Sequence, residues 1–419
     1  MTTQASPPYR KVYPWVTPKI FADPASPDAR AGEFFDHYAD WFSRADEVVL
    51  TIASGNGDHI LNYRGNRHHD DTFDWARYNC YGGPDSDPLA HNANWTSRVR
   101  EGGERSFNPY MAGPMFIVSE AVLDYRVLAS IYAAFRRAAD ERGIRLTLLE
   151  YLEPGPEFCA SEWKTLRHPE AARGSADAGG TIARGLIDVC SSLDADPRHY
   201  ASFPDGIPQG TATMDFIARQ SAAFVRDLGL DGIQLGNQFG LLGLWDPRSA
   251  PEPTPERRAG VAAFFATMRE HFGERKIYWQ DSFWPADVED RAWAMGEHSY
   301  SMLDGIICST FAVLVERMNV RPNLRGKLDI ARRAGGVEIA MAMDFVDPWY
   351  WYRIHLDDRR HFLFQHEVYS ELGPECDGVM FFANDTFGHF IPRAPLNETL
   401  AVVARANGWA PIDNASEDR

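Results

Sequence analysis

Several features that would place this chain in a specialised class are absent from its 419 residues. No run of about 18 apolar residues occurs, so the sequence predicts no membrane-spanning helix. The N-terminus has no apolar stretch of the kind found in secretory signals, and the five cysteines are widely spaced without a Cys-x-x-Cys pair. This pattern favours reduced thiols in a cytoplasmic protein over a disulfide framework or a structural zinc site.

Positive charge is also scarce. Lys and Arg total 42 against 59 Asp and Glu, and the net charge of −17 would repel a phosphate backbone in the absence of a basic patch. We therefore expect neither nucleic acid nor a membrane as a partner, and association with further copies of the chain stays open. Aromatic residues, in contrast, reach 13%, and many stand beside Pro, Gly or Asp, which predicts loops with flat aromatic surfaces.

Helical and strand patterns alternate from residue 121 onward. Short apolar runs predict strands, with amphipathic helices between them, at 144–150, 231–237, 276–281, 304–309, 337–344 and 377–384. Such alternation is typical of βαβ units and a parallel sheet.

A repeat indicates how many units there are. Asp-Gly followed by Ile or Val opens three of the strands, at residues 231, 304 and 377, and successive copies are 73 residues apart. Each interval holds two βα units of about 36 residues, so eight units need roughly 290 residues, as a (β/α)8 TIM barrel does. The two remaining strands are predicted at 47–53, as strand one, and at 114–118, as strand two.

The sequence thus predicts an α/β protein whose catalytic barrel covers 46–409. A segment at 1–45 is expected to pack on the barrel, and 410–419 to form a flexible tail. Long insertions at 55–113 and 154–212 follow strands one and three, at the face where barrel active sites are built. A doubly wound open sheet is the alternative, but its Gly-x-Gly-x-x-Gly turn is missing after strand one.

Acidic residues end three odd-numbered strands. Glu150, Asp281 and Asp344 each follow a short apolar run and precede a loop, so we expect them at the mouth of the barrel. Clustered carboxylates shift one another's pKa values, which can produce one protonated acid and one ionised base near neutral pH. Each acid could instead cap the helix that follows it.

The loops around these acids carry residues that suit a sugar. Flat aromatic rings can cover the C–H faces of a sugar ring, while acids, amides and imidazole bind its hydroxyls. The predicted substrate-binding residues are His59, Asn237, Gln238, Trp279, Trp284, Asp347, Trp349, Trp351, Asn384 and Asp385. Packing of the aromatic run against the barrel rim is the alternative.

With these features the chain resembles the glycoside-hydrolase group of (β/α)8 barrels over roughly residues 45–400, with no specific family assigned. The resemblance implies a glycosidase that acts on a small-molecule carbohydrate and needs no cofactor. Families of the large retaining clan carry Asn-Glu at the end of strand four and Glu at strand seven. Here those positions read Asn237-Gln238 and Asp344, so that clan's acid pair is not present.

Strand spacing suggests a different pair. Strands five and seven are two steps apart, so their ends lie about 9–10 Å apart. Inward-leaning side chains shorten this toward the roughly 6.5–9.5 Å of inverting glycosidases, in which one carboxyl protonates the leaving oxygen and the other activates water. We predict Asp281 and Asp344 in these two roles, in either order, with Glu150 binding hydroxyls or replacing one of them. The long loops favour exo action on a small glycoside.

Two other functions remain open from the sequence. A metal-dependent barrel hydrolase or isomerase could use His68, His69, Asp70 and Asp71 in the first insertion, although adjacent residues in an extended loop point in opposite directions. A non-catalytic carbohydrate-binding barrel would account for the amides at strand four. Cysteine catalysis is not indicated, because Cys308 is expected to be a buried small residue inside strand six.

Overall fold

The structure, a computed structural model, describes residues 11–16, 26–52, 125–152, 213–236, 252–280, 294–309, 320–343, 358–382 and 393–409. Every statement about the fold below refers to these parts of the chain.

Eight strands form one closed ring. Each strand pairs in parallel with its neighbours in chain order, and the last pairs in parallel with the first, which closes the sheet. The strands are β1 Lys11–Val16, β2 Glu47–Ile52, β3 Leu146–Leu152, β4 Gly232–Leu235, β5 Lys276–Gln280, β6 Gly305–Ser309, β7 Glu338–Met343 and β8 Gly378–Phe382. The chain folds as a (β/α)8 barrel, as the sequence predicted.

Helices lie between and around these strands. They are α1 Pro27–His37, α2 Ala39–Phe42, α3 Tyr125–Glu141, α4 Thr213–Asp227, α5 Pro255–Phe272, α6 Glu297–Tyr300, α7 Val320–Arg333, α8 Asp358–Leu372 and α9 Arg393–Asn407, with a 3-10 turn at Gly373–Glu375. Local signals set their ends. Thr254 accepts a hydrogen bond from the Arg257 amide and caps α5, while Gly143 and Gly229 follow α3 and α4 with positive φ.

The first strand of the ring differs from the prediction. Lys11–Val16, assigned from the sequence to the segment packing on the barrel, pairs with both β2 and β8. The strand at 47–52 is therefore second, and because it pairs directly with β3, the predicted strand at 114–118 has no place in the ring. β1 is hard to recognise in the sequence because it contains Pro14, and proline removes a ladder donor and is rare in central strands. Lys11 also places a charge at the start of the run.

Because Lys11–Val16 is the first strand, the first insertion also follows a different strand from the one predicted. The predicted 55–113 insertion follows β2 rather than the first strand, whereas the insertion at 154–212 follows β3 as expected. Both insertions lie outside the residues that the structure describes.

The N-terminal helices pack against the rest of the barrel through aromatic rings. The ring of Phe34 in α1 meets that of Phe135 in α3 edge-on, with centroids 5.6 Å apart. Tyr38 and Trp41 contact Phe381 of β8 at centroid distances of 5.4 and 4.9 Å. These contacts bury large apolar area and hold the N-terminal helices against α3 and β8.

Alternate residues of each strand face the helices and the barrel interior. In β2, Val48, Leu50 and Ile52 belong to the apolar core between strands and helices, whereas Thr51 lies on the other face. Cys308 is buried in that outer core, as predicted, and like Cys376 it is not in a disulfide. None of the described helices is long and apolar enough to cross a membrane.

The Asp-Gly repeat has a structural role at the N-terminal end of the barrel. Each of its aspartates accepts a hydrogen bond from a backbone amide of the preceding odd-numbered strand. The pairs are Asp231 with Leu148 N at 2.7 Å, Asp304 with Ile277 N at 2.8 Å and Asp377 with Ile339 N at 2.8 Å. The aspartates thus bridge successive βα units.

The glycine of the repeat leaves room inside the ring. A Cβ atom built on Gly305 would lie 2.3 Å from the Tyr278 ring, and one on Gly232 would lie 2.1 Å from the carbonyl oxygen of Lys276. No side chain larger than hydrogen fits at either position without displacing its neighbour. The 73-residue periodicity therefore reflects packing at the bottom of the barrel.

Candidate functional site

The C-terminal ends of the eight strands meet at one rim, which we call the mouth. β5 ends at Gln280 and β7 ends at Met343, so the predicted catalytic residues Asp281 and Asp344 follow directly in the chain. Because all strands are parallel, residues that follow β5 and β7 leave the barrel on the same side, with β6 between them. Asp281 and Asp344 themselves lie outside the described residues.

Three polar side chains form a hydrogen-bonded chain beneath the mouth, which we call the amide chain. The Thr51 hydroxyl donates to Oε1 of Gln234 at 2.7 Å, and Nε2 of Gln234 donates to Oε1 of Gln280 at 2.6 Å. All three residues are buried. None of these three residues was predicted from the sequence to have a role in the site. The signal that could have indicated them is a polar residue inside an otherwise apolar strand.

The amide chain lies inside the barrel. Thr51 is on β2 and Gln234 on β4, with β3 between them, and only the concave side of a closed sheet brings side chains of such strands together. The alternation along β5 gives the same result. Ile277 and Trp279 belong to the core between strands and helices, so Gln280 lies on the opposite face, inside the barrel. Gln280 is the last residue of its strand, so the amide chain ends just below the mouth.

Glu150 is not placed at the mouth. β3 continues to Leu152, and the Glu150 side chain shares the outward face with Leu148 and Leu152 of the helix-facing core. It is fully buried, and the Tyr132 hydroxyl of α3 donates a hydrogen bond to its carboxylate. This corrects the predicted catalytic or hydroxyl-binding role, because a carboxylate facing a helix behind the sheet does not face a substrate in the barrel.

Trp279, predicted to bind substrate, also faces the helices. Its indole is 0% exposed and packs edge-on against Phe265 of α5, with centroids 6.1 Å apart. It belongs to the apolar layer between β5 and α5, not to the barrel interior that carries Gln280. An aromatic wall around the mouth would have to come from other residues.

The remaining predicted site residues fall in parts of the chain that the structure does not describe. They are His59, Asn237, Gln238, Trp284, Asp347, Trp349, Trp351, Asn384 and Asp385, together with the alternative metal ligands His68, His69, Asp70 and Asp71. Among the described residues, no group of three or more His, Cys, Asp or Glu side chains is arranged to hold a metal ion.

The opposite end of the barrel interior carries charge. Lys11 of β1 forms ion pairs with Glu47 of β2, at 3.3 Å, and with Glu338 of β7. The Tyr278 hydroxyl donates to Glu338 at 2.8 Å, and Thr147 donates to Glu47. Burial, helped by the negative charge of Glu338, raises the pKa of Tyr278 well above its ordinary value, so this hydroxyl stays a donor.

The two ends of the barrel interior therefore differ in kind. The N-terminal end is closed by an ionic network whose members bind one another, whereas the described residues below the mouth are neutral amides, hydroxyls and apolar side chains. In barrel enzymes the chemistry takes place at the C-terminal face, and the other face serves stability.

The chain matches no family model and no curated protein. Among solved structures it is similar to catalytic domain 2 of the Group II chitinase of Ostrinia furnacalis, at 10% identity and a TM-score of 0.44, covering 96% of this chain and 98% of that one.

Two further solved structures show a similar degree of likeness. GH5_18 from Streptomyces cattleya, in complex with GlcNAc, has 12% identity and a TM-score of 0.42, covering 96% of this chain and 80% of that one. The PgaB (BpsB) glycoside hydrolase domain from Bordetella bronchiseptica has 11% identity and a TM-score of 0.46, covering 94% and 99%. The barrel itself is established by its strand pairing, and function has to be argued from this chain's own residues.

Proposed function

We propose that the protein is a glycoside hydrolase that cleaves a small glycoside at the mouth, with Asp281 and Asp344 as the acid and base pair. The observation that carries the proposal is the closed parallel ring, in which β5 and β7 end one residue before these two aspartates. The proposal places these two carboxylates, from distant stretches of the chain, at one rim.

The spacing of the strands supports an inverting mechanism. Two steps around the sheet amount to about 9–10 Å, and a carboxyl separation of about 6.5–9.5 Å leaves room for a water molecule between acid and base. One carboxyl protonates the glycosidic oxygen as the bond to the anomeric carbon breaks. The other carboxylate removes a proton from the water that attacks the opposite face of the sugar.

The sugar would be held by residues of the loops that follow the strands. Trp284, Trp349 and Trp351 are proposed to cover its apolar face, and His59, Asp347 and the amides of Asn237, Gln238 and Asn384, with Asp385, to bind its hydroxyls. With Glu150 turned toward α3, no described residue replaces Asp281 or Asp344. The long segments after β2 and β3 favour a closed pocket and exo action.

Substitution of the two aspartates tests the proposal. Asp281→Asn and Asp344→Asn, made separately, should each reduce turnover of the best substrate in a panel of p-nitrophenyl glycosides by about 10²–10⁴-fold, because each removes one proton-transfer group. The thermal midpoint and the circular dichroism spectrum should be unchanged. Proton NMR of the first product should show the anomer opposite to that of the substrate.

Asp28→Asn is the matched control, since Asp28 is an exposed residue of α1 that pairs with Arg137. It should leave turnover unaltered. Near-normal turnover in either Asp281→Asn or Asp344→Asn would refute the assignment of the pair, and a first product with retained configuration would refute the inverting mechanism.

A non-catalytic carbohydrate-binding barrel is the second candidate, and one observation favours it. The polar groups of the amide chain below the mouth, Thr51, Gln234 and Gln280, are neutral and cannot serve as carboxylic acids or bases. A binder would show saturable binding of a monosaccharide or glycoside, with no product detected after prolonged incubation.

A further inference from the structure

We infer that Gln280 is a ligand-binding residue, whose side-chain NH2 group donates a hydrogen bond to a neutral oxygen of the sugar, and that Thr51 and Gln234 position it. This inference rests on the proposed function and adds to it a contact residue and a substrate class. Gln280 is the last residue of β5, and Asp281 follows it directly.

The direction of the amide chain leaves one donor group over. Thr51 donates to the carbonyl oxygen of Gln234, and the NH2 group of Gln234 donates to the carbonyl oxygen of Gln280. The carbonyl of Gln280 is thus occupied. Its own NH2 group, at the end of the amide chain, makes no hydrogen bond to the residues that the structure describes, and its Nε2 is not one of their fully buried atoms without a partner.

The position of that remaining donor makes it significant. Gln280 is 1% exposed and its carbonyl oxygen already accepts from Gln234, so the NH2 group is the hydrogen-bonding group that this side chain has left for a ligand. An amide with a fixed carbonyl has its NH2 group fixed as well, so little rotamer entropy is lost when a ligand accepts from it. The amide chain therefore holds a donor in a set orientation below the mouth.

The surroundings indicate the chemistry of the acceptor. The described interior residues at the same end of the barrel, Ile307, Ala342 and Met380, carry no charge, and neither do Thr51 and Gln234. A carboxylate or phosphate buried here would meet no cation among them, and burying an unpaired anion is costly. We therefore assign a neutral acceptor, either a hydroxyl oxygen or the carbonyl of an acylamino group, on an uncharged sugar.

Gln280→Glu tests the donor. Glutamate keeps an oxygen that accepts from Gln234 but has no NH2 group, so the hydrogen bonds from Thr51 to Gln234 and from Gln234 to residue 280 are preserved. For the p-nitrophenyl glycoside with the highest kcat/KM, the wild-type protein should lose about tenfold in kcat/KM when one particular sugar hydroxyl, or the acylamino group of an acylamino sugar, is replaced by hydrogen. The Gln280→Glu protein should have lower kcat/KM on the parent glycoside and lose nothing further with that deoxy analogue.

Thr51 variants test positioning. Thr51→Val removes the hydroxyl at nearly constant shape, whereas Thr51→Ser keeps it and serves as the matched control. We expect Thr51→Val to raise KM about three- to tenfold with a smaller change in kcat, and to shift the side-chain amide NMR signals of Gln234 and Gln280 without added sugar. Thr51→Ser should retain the wild-type signals and KM.

The possible failures are distinguishable. If Gln280→Glu binds and turns over the parent and deoxy glycosides with wild-type constants, the donor role of Gln280 is refuted while the glycosidase stands. A higher kcat/KM for the p-nitrophenyl glucuronide than for the glucoside would overturn the neutral class. If neither the wild-type protein nor any variant binds or cleaves any member of the panel, the proposed function fails, and this inference fails with it.

Discussion

Glu150 and Tyr132 form a buried pair between β3 and α3, and their role can be separated from catalysis by experiment. Tyr132→Phe removes the hydroxyl that donates to the carboxylate, so it should lower the free energy of unfolding by about 1–3 kcal/mol. Glu150→Gln keeps an acceptor for Tyr132. Turnover of a cleaved glycoside should change by less than about threefold in both variants, because neither side chain faces the mouth.

Chemical denaturation and steady-state kinetics on the same preparations measure these effects. The opposite pattern, in which Glu150→Gln loses about 100-fold or more in turnover with unaltered stability, would restore Glu150 as a catalytic residue. Asp281→Asn offers the comparison, since it should show that pattern.

The directions of the Glu150 and Trp279 side chains could not be predicted from the sequence. The apolar run up to Glu150 suggested that the strand ends there, but β3 extends two residues further, to Leu152. Strands of a barrel are apolar on both faces, so Leu148, Leu149 and Tyr151 give no alternation from which to read the direction of Glu150. Trp279 was misplaced for the same reason: inward and outward residues of β5 look alike in the sequence.

The packing of β5 against β6 depends on Gly305. Gly305→Ala would put a methyl group within 2.3 Å of the Tyr278 ring, so we expect a loss of about 1–3 kcal/mol in the free energy of unfolding. Urea denaturation at constant pH measures it. Gly305→Ala should cost less in a Tyr278→Leu background than in the wild-type protein, because the ring that the methyl group meets is then absent.

Gly296→Ala is the matched control. Gly296 precedes α6 with an extended φ of −132°, and nothing lies within 4 Å of a Cβ atom built on it. Its replacement should change stability by no more than about 0.5 kcal/mol. Equal losses in the two variants would show that the Tyr278 contact does not account for the glycine.

Elements with local signals could be predicted from the sequence, and those without could not. The strands after Asp231, Asp304 and Asp377 were found because each begins with an Asp-Gly pair. Each aspartate bonds to the preceding odd-numbered strand, and close packing requires glycine at 232 and 305. Glycines with positive φ likewise mark the ends of helices. β1 carries a proline and no repeat, and only its partners β2 and β8, distant in the chain, make it a strand.

Closure of the ring joins the first strand of the barrel to strands that come much later in the chain. Lys11 and Glu338 are 327 residues apart in the chain, and Lys11 also contacts Glu47. The number of βα units predicted a closed barrel, but no sequence pattern shows which side chains meet across its interior. The ionic network and the amide chain, both built from non-adjacent strands, therefore appeared only in the structure.

Removing Lys11 from the ionic network measures how much the stability of the closed ring depends on β1. Lys11 is 6% exposed and lies between two carboxylates, so Lys11→Met leaves Glu47 and Glu338 without their shared cation. Breaking a buried pair by removing one partner costs about 3–5 kcal/mol, and we expect a loss near 3 kcal/mol, because Tyr278 and Thr147 still donate to the two acids. Adding Glu338→Gln should recover part of that loss in guanidinium denaturation.

Arg30→Met is the control, since the exposed Arg30–Glu33 pair should contribute less than about 1 kcal/mol. If Lys11→Met costs no more than Arg30→Met, the network does not hold β1 in the ring, and closure rests on backbone pairing and the aromatic contacts of α1 and α2 instead.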